Sequence, residues 1–431
     1  MKNQRNRDNP ARGFLTALAA GVLLCGIGGR AACAEVIKIT PDVVIYNGTY
    51  PGWPTIDRSP DGTLMCMWRD GHKHEYSSIG KMMMSTSTDD GKTWSAAKTV
   101  QDAAPDIDDR GGGILALSNN EWLAAYFTTD GNSVSRTWTT RTTNGGATWS
   151  VPALVNPSMT ENSAARGAPI KLSSGELVLP YYRGGTTMQA LAAVSKDNGQ
   201  TWTTYAVPNA TGFNGNEWSV VELPDGTLAG LIRTDVAGSD GSQWLTKSTD
   251  KGKTWTTPAK TNLRDESGLA WKSPAQIFLH EGKPWVVYPD KRYVSVVLAT
   301  TDDPDLLDWN VEKRIPAYQY KADGTRIQDA GYPSAVYLGD GRLLVVDYYI
   351  DGGTKQIVGY YVTLPLPEPG SLAMIFVAAV GAGAYAWRRK RAAFTGFARG
   401  SSRSCRTFWR PRETVESIPD SERREPVMCR E

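Results

Sequence analysis

The residues best suited to chemistry in this chain are one tyrosine, one glutamate and several arginines that recur at a fixed point of a repeated pattern. Six turns divide the central part of the chain into apolar, alternating hairpins. Nine or ten residues before these turns the chain has, in order, Gly52-Trp53, Arg110, Arg166, Glu217, Lys272-Ser273 and Tyr332. Seven to ten residues after four of the turns it has Arg69, Arg183, Arg233 and Arg292.

This combination of residue types favours a binding site for an anionic substrate. Arginine binds a planar carboxylate through two parallel hydrogen bonds, which lysine cannot do. A tyrosine hydroxyl can attack an electrophilic carbon when a neighbouring carboxylate accepts its proton. The alternative is a solvated basic rim that balances an acidic protein.

A second motif supplies the framework that must hold these residues. The segment 87–94 reads Ser-Thr-Asp-Asp-Gly-Lys-Thr-Trp; close copies occupy 195–202 and 248–255, with variants at 142–149 and 300–309. The final tryptophans are 55, 53, 53 and 54 residues apart. Serine and aspartate side chains hydrogen-bond the backbone of a tight turn, glycine supplies a positive φ, and tryptophan buries its ring beneath. Each copy offers only one or two carboxylates, which disfavours calcium binding.

The even spacing of the repeats predicts the fold class. The segment 35–364 is about 330 residues long and contains six hairpin turns, so each unit of about 54 residues holds roughly four short strands. We therefore predict an all-β, six-bladed β-propeller over 35–364. Sites in propellers lie on the central axis, where the residues that flank the six turns are expected to meet.

Composition excludes several classes of function. Residues 35–364 carry 30 Lys and Arg against 37 Asp and Glu, a net charge of −7, so we expect no nucleic-acid partner. Cys66 is the only cysteine in this segment, which excludes an intrachain disulfide and a cysteine metal site within it. We predict neither a metal nor a cofactor.

The two ends of the chain have the composition of targeting segments. Residues 1–34 combine a basic start, an apolar run and a small-residue cleavage site, as in a secretory signal peptide. Residues 365–391 place Pro-Glu-Pro before an apolar stretch and a basic cluster. That order resembles the PEP-CTERM sorting signal, which implies export to the bacterial cell envelope or surface and processing by an exosortase-type enzyme. A plain membrane anchor is the alternative. The basic tail 392–431 is predicted to be disordered.

The Ser-x-Asp-x-Gly-x-Thr-Trp motif resembles the Asp boxes of the sialidase superfamily, and the resemblance covers nearly all of 35–364. The segment 217–226, Glu-Trp-Ser-Val-Val-Glu-Leu-Pro-Asp-Gly, followed by Arg233, is similar to a catalytic hairpin of that family. The segment 331–334, Gly-Tyr-Pro-Ser, is similar to the one that carries its nucleophile. The resemblance implies that Tyr332 is the nucleophile, that Glu217 is its base, and that Arg233 and Arg292 bind the substrate carboxylate. We also expect both arginines to flank Tyr332 and to favour its ionised form.

The first blade departs from the family pattern in its arginine. The family has Arg-Ile-Pro where this chain has Gly52-Trp53-Pro54. Arg110 and Arg69 are therefore the candidates for completing the carboxylate site. Arg166 is a further candidate for binding the substrate.

The acid/base group is expected in a loop of the same blade. In the family this group is an aspartate, and the corresponding loop here begins at Arg69 and contains Asp70, His72, His74 and Glu75. Asp70 and Glu75 are the candidates, with the two histidines as runners-up. A two-histidine metal site that lacks a third ligand is a further alternative.

The leading hypothesis is an exported exo-glycosidase of sialidase type that hydrolyses a terminal anionic sugar, such as sialic acid, on glycans. It would contact a membrane only through the C-terminal segment. One alternative is a non-catalytic glycan-binding or surface-display propeller. The other is a sugar-acid lyase that uses Tyr332 as a base. All three predict a single axial pocket, with the Asp-box tryptophans at the periphery.

Overall fold

The computed structural model describes residues 41–365, except 104, 133, 237–238, 265–272, 291–294 and 317–328. The predicted signal peptide, the apolar segment of the sorting signal and the basic tail lie outside the described residues. The chain divides into two units between Leu366 and Pro367, and every described residue belongs to the first. Within the described part of the chain no helix is long and apolar enough to cross a membrane.

The described residues form six antiparallel sheets, and five of these are each built from one stretch of sequence. The first two sheets contain β2 (Pro51–Arg58), β3 (Leu64–Asp70), β4 (Lys81–Ser87) and β5 (Lys98–Gln101), then β6 (Asp108–Ala116), β7 (Trp122–Thr129), β8 (Arg136–Thr142) and β9 (Ala153–Leu154). The third contains β10 (Ser163–Ala164), β11 (Ile170–Lys171), β12 (Leu177–Arg183), β13 (Gln189–Ser195) and β14 (Thr203–Ala206). The fourth contains β15 (Gly215–Glu222), β16 (Leu228–Thr234), β17 (Trp244–Ser248) and β18 (Ala259–Lys260).

The last two sheets complete the ring. The fifth contains β19 (Gln276–His280), β20 (Lys283–Asp290), β21 (Ser295–Thr300) and β22 (Asn310–Pro316). The sixth contains β23 (Asp329–Gly339), β24 (Arg342–Asp351) and β25 (Thr354–Thr363), and its outer strand is β1 (Val43–Asn47), which pairs antiparallel with β25. The prediction of an all-β, six-bladed propeller is confirmed.

The core of the propeller lies between neighbouring blades. One cluster joins the sixth blade to the first through buried Ile56, Leu64 and Trp68 on one side and Leu344 and Val346 on the other. These residues alternate along their strands, because successive side chains of a strand point to opposite faces of the sheet. Each blade is thus buried on both faces, which fixes the position of its inner strand relative to the axis.

The Asp boxes are turns between the third and fourth strands of a blade. Ser87 Oγ donates to Asp89 Oδ1 (2.7 Å) and accepts from the Gly91 amide (2.9 Å). The Asp89 carboxylate also accepts from the amide and the hydroxyl of Thr93, at 2.9 and 2.6 Å. Trp94 Nε1 donates to the Gly91 carbonyl at 2.8 Å. Both aspartate oxygens are therefore engaged by the turn itself, which supports the structural interpretation of the motif.

Candidate functional site

A β-bulge at the same place in four inner strands turns side chains toward the axis. The register shifts between Gly52 and Thr55 in β2, between Arg110 and Gly113 in β6, between Gly215 and Trp218 in β15, and between Gly331 and Ser334 in β23. A bulge inserts an unpaired residue, bends the strand and re-aims its side chain. In each bulge two residues face a single residue of the partner strand: Trp53-Pro54, Gly111-Gly112, Asn216-Glu217 and Tyr332-Pro333.

The backbone at two of these bulges is strained. Trp53 has φ of 57° and Tyr332 has φ of 66°, a region that bulky residues rarely adopt. Such a conformation costs roughly 1–3 kcal/mol and is found mainly at functional sites. The two strained residues occupy equivalent positions in adjacent blades, and their rings make an edge-to-face contact with centroids 6.4 Å apart.

Tyr332, Glu217 and Arg233 meet in a single hydrogen-bonded cluster. The Tyr332 hydroxyl donates to Glu217 Oε2 at 2.9 Å, and an Arg233 terminal nitrogen donates to that hydroxyl at 3.1 Å. The same arginine nitrogen forms an ion pair with Glu217 Oε2. Glu217 is 5% exposed, whereas the Arg233 side chain keeps 20% of its surface in solvent. The cluster therefore opens to solvent on the side of Arg233 and Tyr332.

Arg166 completes the charge balance around Glu217. Its Nε lies 3.1 Å from Glu217 Oε1, with the side chain 7% exposed. Burial raises the pKa of Glu217, but Arg233, Arg166 and the hydrogen bond from Tyr332 lower it by more, so the carboxyl pKa lies below its ordinary value. Glu217 is accordingly an ionised hydrogen-bond acceptor at neutral pH.

The pKa of the Tyr332 hydroxyl shifts in the opposite direction, upward. Burial raises the pKa of its hydroxyl and the Glu217 carboxylate raises it further, while Arg233 and Arg166 lower it by less, so the net shift is upward. The expectation that a neighbouring arginine favours ionised Tyr332 is confirmed for Arg233, which lowers the pKa, but burial of the hydroxyl and the Glu217 carboxylate together raise the pKa by more. The hydroxyl is neutral in the resting site. Arg292, the other arginine in that expectation, lies outside the described residues.

Trp53 follows Gly52, the residue at the place where the family pattern has an arginine. It is 3% exposed, and the guanidinium carbons of Arg166, Arg110 and Arg69 lie 4.3, 4.6 and 5.4 Å from its ring centroid. Three cation–π contacts in a buried setting can each contribute on the order of 1 kcal/mol. The guanidiniums are thus arranged around an aromatic ring at this place, and Arg110 reaches the site through Trp53.

Asp108, which sequence reasoning did not single out, holds two of the predicted arginines. Its carboxylate accepts from Arg69 Nε at 3.0 Å, from Arg69 Nη2 at 2.8 Å and from Arg110 Nη1 at 3.1 Å. Arg69 is fully buried, and its terminal nitrogens also donate to the carbonyls of Lys73 (2.6 Å) and Glu75 (3.3 Å). All three nitrogens of Arg69 therefore bind protein acceptors. Arg69 therefore stabilises the loop after β3 through the backbone carbonyls of that loop.

The two carboxylates predicted as acid/base candidates lie in different environments. Asp70 accepts from the Tyr46 hydroxyl (2.9 Å) and from the amides of Thr49 (3.1 Å) and Tyr50 (2.9 Å), so it holds the turn before β2. Glu75 is exposed on the loop after β3. The loop also carries His74, whose ring stands edge-on to Trp53 with centroids 5.1 Å apart.

Asp329, at the start of β23, was also missed by sequence reasoning. Its carboxylate accepts from the Tyr50 hydroxyl (2.8 Å) and the Tyr348 hydroxyl (3.0 Å), and its Oδ2 lies 2.6 Å from His74 Nδ1. Its sequence position three residues before Tyr332 is the one signal that could have drawn attention to it. Asp329 and His74 thus place a carboxylate and an imidazole beside the cluster of Tyr332, Glu217 and Arg233.

A small cavity of about 50 Å³ lies on the axis and is lined by Trp53, Arg166 and Tyr332 among others. Thr55 Oγ1, at its wall, has no hydrogen-bond partner within the described ranges. A cavity of this size can hold water but not a sugar ring. A sugar must therefore approach Tyr332 from the face where Arg233 and His74 are exposed.

Asp109, next to Asp108, gives a testable pH dependence. It is fully buried, and burial raises its pKa to about 7, with the Ala103 amide opposing and Asp102 and Asp108 adding to the rise. Between the unfolded pKa and about 7 the folded state binds the extra proton, so this group stabilises the fold at low pH and the contribution is lost as pH rises through 7. The contribution of Asp109 to the free energy of unfolding should be larger at pH 5.5 than at pH 8 by about 2 kcal/mol.

Asp109→Asn should remove that contribution, because asparagine does not titrate. Urea unfolding of wild type and variant at pH 5.5, 6.5, 7.5 and 8 gives the difference curve. We expect the variant to gain stability relative to wild type as pH rises. A difference that is flat over this range would show that Asp109 does not titrate there.

The chain is similar to known proteins in both its family and its fold. A model of the BNR repeat-like domain matches residues 62–345. The chain is 26% identical over 237 residues to a sialidase of Bacteroides fragilis (strain YCH46), covering 52% of this chain and 39% of that protein. It is 29% identical over 261 residues to a sialidase of Clostridium perfringens, covering 51% and 64%. The matches thus span less than two thirds of either relative.

Solved structures show the same fold. A Dyadobacter fermentans protein of unknown function aligns with a TM-score of 0.61 at 20% identity, covering 76% of this chain and 99% of that one. The NanB sialidase of Streptococcus pneumoniae aligns with a TM-score of 0.58 at 15% identity, covering 76% and 71%. At these identities the likeness concerns the fold alone. Since the domain model matches most of the chain, this protein belongs to the BNR repeat-like domain family and has the propeller fold of sialidases.

Proposed function

We propose that this protein is an exo-acting, retaining glycoside hydrolase of the sialidase type, with Tyr332 as nucleophile and Glu217 as its base. The observation that carries the proposal is the hydrogen bond of 2.9 Å from the Tyr332 hydroxyl to Glu217 Oε2, with Arg233 3.1 Å from the same hydroxyl. A nucleophile, its base and a cation that stabilises developing negative charge thus share one site. The sialidase relatives add support at the level of the family.

The electrostatics favour proton transfer during attack over a preformed phenolate. The raised pKa keeps Tyr332 protonated, and the lowered pKa keeps Glu217 ready to accept the proton. As the Tyr332 oxygen bonds to the anomeric carbon, its proton passes to Glu217. A neutral nucleophile also avoids the repulsion that a carboxylate would meet beside an anionic sugar. Sialidases are an exception to the paired-carboxylate rule of glycosidases for this reason among others.

The proposed substrate is a glycan with a terminal anionic sugar, such as sialic acid. Arg166 is buried, and its Nε and Nη1 lack a well-aligned hydrogen-bond partner among the described residues. Arg233 is partly exposed beside Tyr332. Both guanidiniums can therefore donate to a carboxylate placed over the tyrosine. Export to the cell envelope and processing by an exosortase-type enzyme stay predictions from the terminal sequences.

A specific observation favours a second candidate, a glycan-binding propeller without activity. Gly52 stands where the family pattern has a carboxylate-binding arginine, and the ring of the next residue, Trp53, is buried among Arg110 and Arg166. In this alternative the arginines support the tryptophan, and the site binds a sugar without cleaving it. The Tyr332–Glu217 pair has no role in that alternative, which is why hydrolysis is the main proposal.

A fluorinated sialosyl fluoride tests the proposal directly. Such a compound slows breakdown of a covalent intermediate, so we expect a mass increase on the peptide that contains Tyr332. Wild-type protein should also cleave a chromogenic sialoside with retention at the anomeric carbon, as a double displacement requires. Inversion, or label on another residue, would overturn the assignment. Binding of sialosides without cleavage would establish the second candidate.

A further inference from the structure

We infer that His74 and Asp329 form a proton-transfer pair that serves the leaving group, with His74 as the catalytic acid and Asp329 as the residue that positions it. The inference rests on the proposed function and supplies its missing half, since Tyr332 and Glu217 account only for attack on the anomeric carbon. The observation behind it is the contact of 2.6 Å between His74 Nδ1 and Asp329 Oδ2, at the open side of the tyrosine cluster.

Asp329 is held on both oxygens by hydroxyl donors. Tyr50, from the segment before β2, donates to Oδ2 at 2.8 Å, and Tyr348, from β24, donates to Oδ1 at 3.0 Å. Burial raises the pKa of Tyr50 and of Tyr348, and the Asp329 carboxylate adds to the rise. Both phenols therefore remain protonated and act as donors. The Asp329 side chain is 10% exposed, so its position is fixed by these contacts.

This arrangement sets the tautomer of His74. An ionised carboxylate has no proton to give, so the Nδ1 atom that faces Asp329 must carry the hydrogen. The other ring nitrogen, Nε2, is then the atom that gains and loses a proton. The His74 side chain is 43% exposed, which leaves the imidazole open to solvent and to a bound glycan. Carboxylate, imidazole and open nitrogen form the usual geometry of a general acid/base.

Two buried arginines hold the backbone of the loop that carries His74. Arg110 Nη2 donates to the His74 carbonyl at 2.7 Å, and Arg69 donates to the carbonyls on either side, at Lys73 and Glu75. The His74 ring packs against Trp53, which in turn contacts Tyr332. The imidazole is thus placed on the same side of the axis as the nucleophile by contacts from two blades.

The pair takes the role that the family resemblance assigned to a first-blade carboxylate. Asp70 is occupied by a hydroxyl and two backbone amides that hold the turn at 48–50. Glu75 is exposed on the loop next to His74. Neither carboxylate has a contact with the tyrosine cluster comparable to that of His74 through Trp53.

The steps balance as a double displacement. In the first, the Tyr332 oxygen bonds to the anomeric carbon as the glycosidic C–O bond breaks; the tyrosine proton passes to Glu217, and the proton on His74 Nε2 passes to the departing oxygen. In the second, His74 Nε2 takes a proton from water, whose oxygen replaces the tyrosine at the anomeric carbon. Glu217 returns its proton to Tyr332. The net change is addition of one water across the glycosidic bond.

Leaving-group dependence is the sharpest test of a catalytic acid. An alkoxide needs a proton to depart, whereas 4-nitrophenolate does not, so His74→Gln should slow cleavage of a sialyl-lactose roughly a hundredfold or more. The same variant should slow cleavage of a 4-nitrophenyl sialoside less than about tenfold. His72→Gln is the matched control: His72 is exposed on the same loop, with Nδ1 3.2 Å from Ser77 Oγ, and its loss should leave both rates unchanged.

Asp329→Asn tests the positioning role through the separate effects on kcat and KM. An asparagine amide can turn either its oxygen or its NH2 group toward His74 Nδ1, so the tautomer of His74 is no longer fixed. We expect kcat on the sialyl-lactose to fall while KM stays near the wild-type value, with retained folding shown by circular dichroism. A rise in KM with kcat unchanged would overturn the positioning role.

The outcomes separate this inference from the proposed function. If the wild type cleaves both substrates but His74→Gln slows both equally or neither, the pair is overturned while the proposed hydrolysis stands. If the rate of His74→Gln follows leaving-group ability and His72→Gln behaves as wild type, the pair is established. A wild type that cleaves neither sialoside removes the proposed function and the pair with it.

Discussion

Replacing Tyr332 with phenylalanine is expected to lower kcat by roughly three orders of magnitude or more, because the variant has no oxygen to bond to the anomeric carbon. The fold should survive the change. The ring still contacts Trp53, and Glu217 keeps its ion pairs with Arg166 and Arg233. Loss of the two hydrogen bonds of the hydroxyl, one to Glu217 and one from Arg233, should reduce the free energy of unfolding by only about 1–3 kcal/mol. Steady-state rates on a chromogenic sialoside and urea unfolding measure the two effects.

Tyr337→Phe is the matched control for that variant. Tyr337 lies on the same strand, β23, and its hydroxyl contacts Glu281 Oε1 at 3.2 Å, away from the Tyr332 cluster. Its removal should leave kcat unchanged at a comparable small cost in stability. If Tyr332→Phe turned over substrate at the wild-type rate, Tyr332 could not be the nucleophile.

Replacing Asp108 with asparagine should have the largest effect on stability. The carboxylate is fully buried and is the shared partner of Arg69 and Arg110, and it also accepts from the Ser77 amide at 2.9 Å. Asparagine keeps the shape but leaves two buried guanidiniums without that negative charge. Breaking a buried ion pair in this way typically costs about 3–5 kcal/mol. The midpoint of urea unfolding should fall accordingly, with little change in slope.

Asp106→Asn serves as the control for Asp108→Asn. Asp106 is exposed two residues earlier and has φ of 69°, a conformation that asparagine tolerates well. Its stability should stay within about 0.5 kcal/mol of wild type. Equal stability of the two variants would show that the Arg69–Asp108–Arg110 network contributes little.

The repeats made the fold and part of the site predictable from sequence. Aligning the hairpins on their turns placed Arg166, Glu217 and Tyr332 at one level of the propeller, and the structure brings these side chains together. The alignment succeeds because the position of a residue relative to its hairpin turn sets its height along the blade. Arg233 followed from the same alignment on the returning strand.

Other parts of the site depend on contacts that no repeat encodes. Asp329 and His74 are 255 residues apart, and they meet only because the last blade lies against the first. Arg69 and Asp70 are adjacent in β3, so their side chains leave opposite faces of the sheet. Asp70 therefore turns toward Tyr46 and Tyr50. The alternation of side chains along a strand would therefore have predicted that Arg69 and Asp70 have different partners.

The pairing of β1 with β25 has a consequence for the order in which the molecule can assemble. Val43 lies opposite Gly359 in that pairing, so the sixth sheet cannot be completed until residues near both ends of the propeller segment are available together. The five other sheets each draw on one local stretch of sequence and can form as the chain emerges. Closing so long a loop has a large entropic cost and is slow compared with local hairpin formation. During synthesis the chain therefore passes through a state in which the blades have formed but the ring, and with it the contact between the His74 loop and Asp329, is still open.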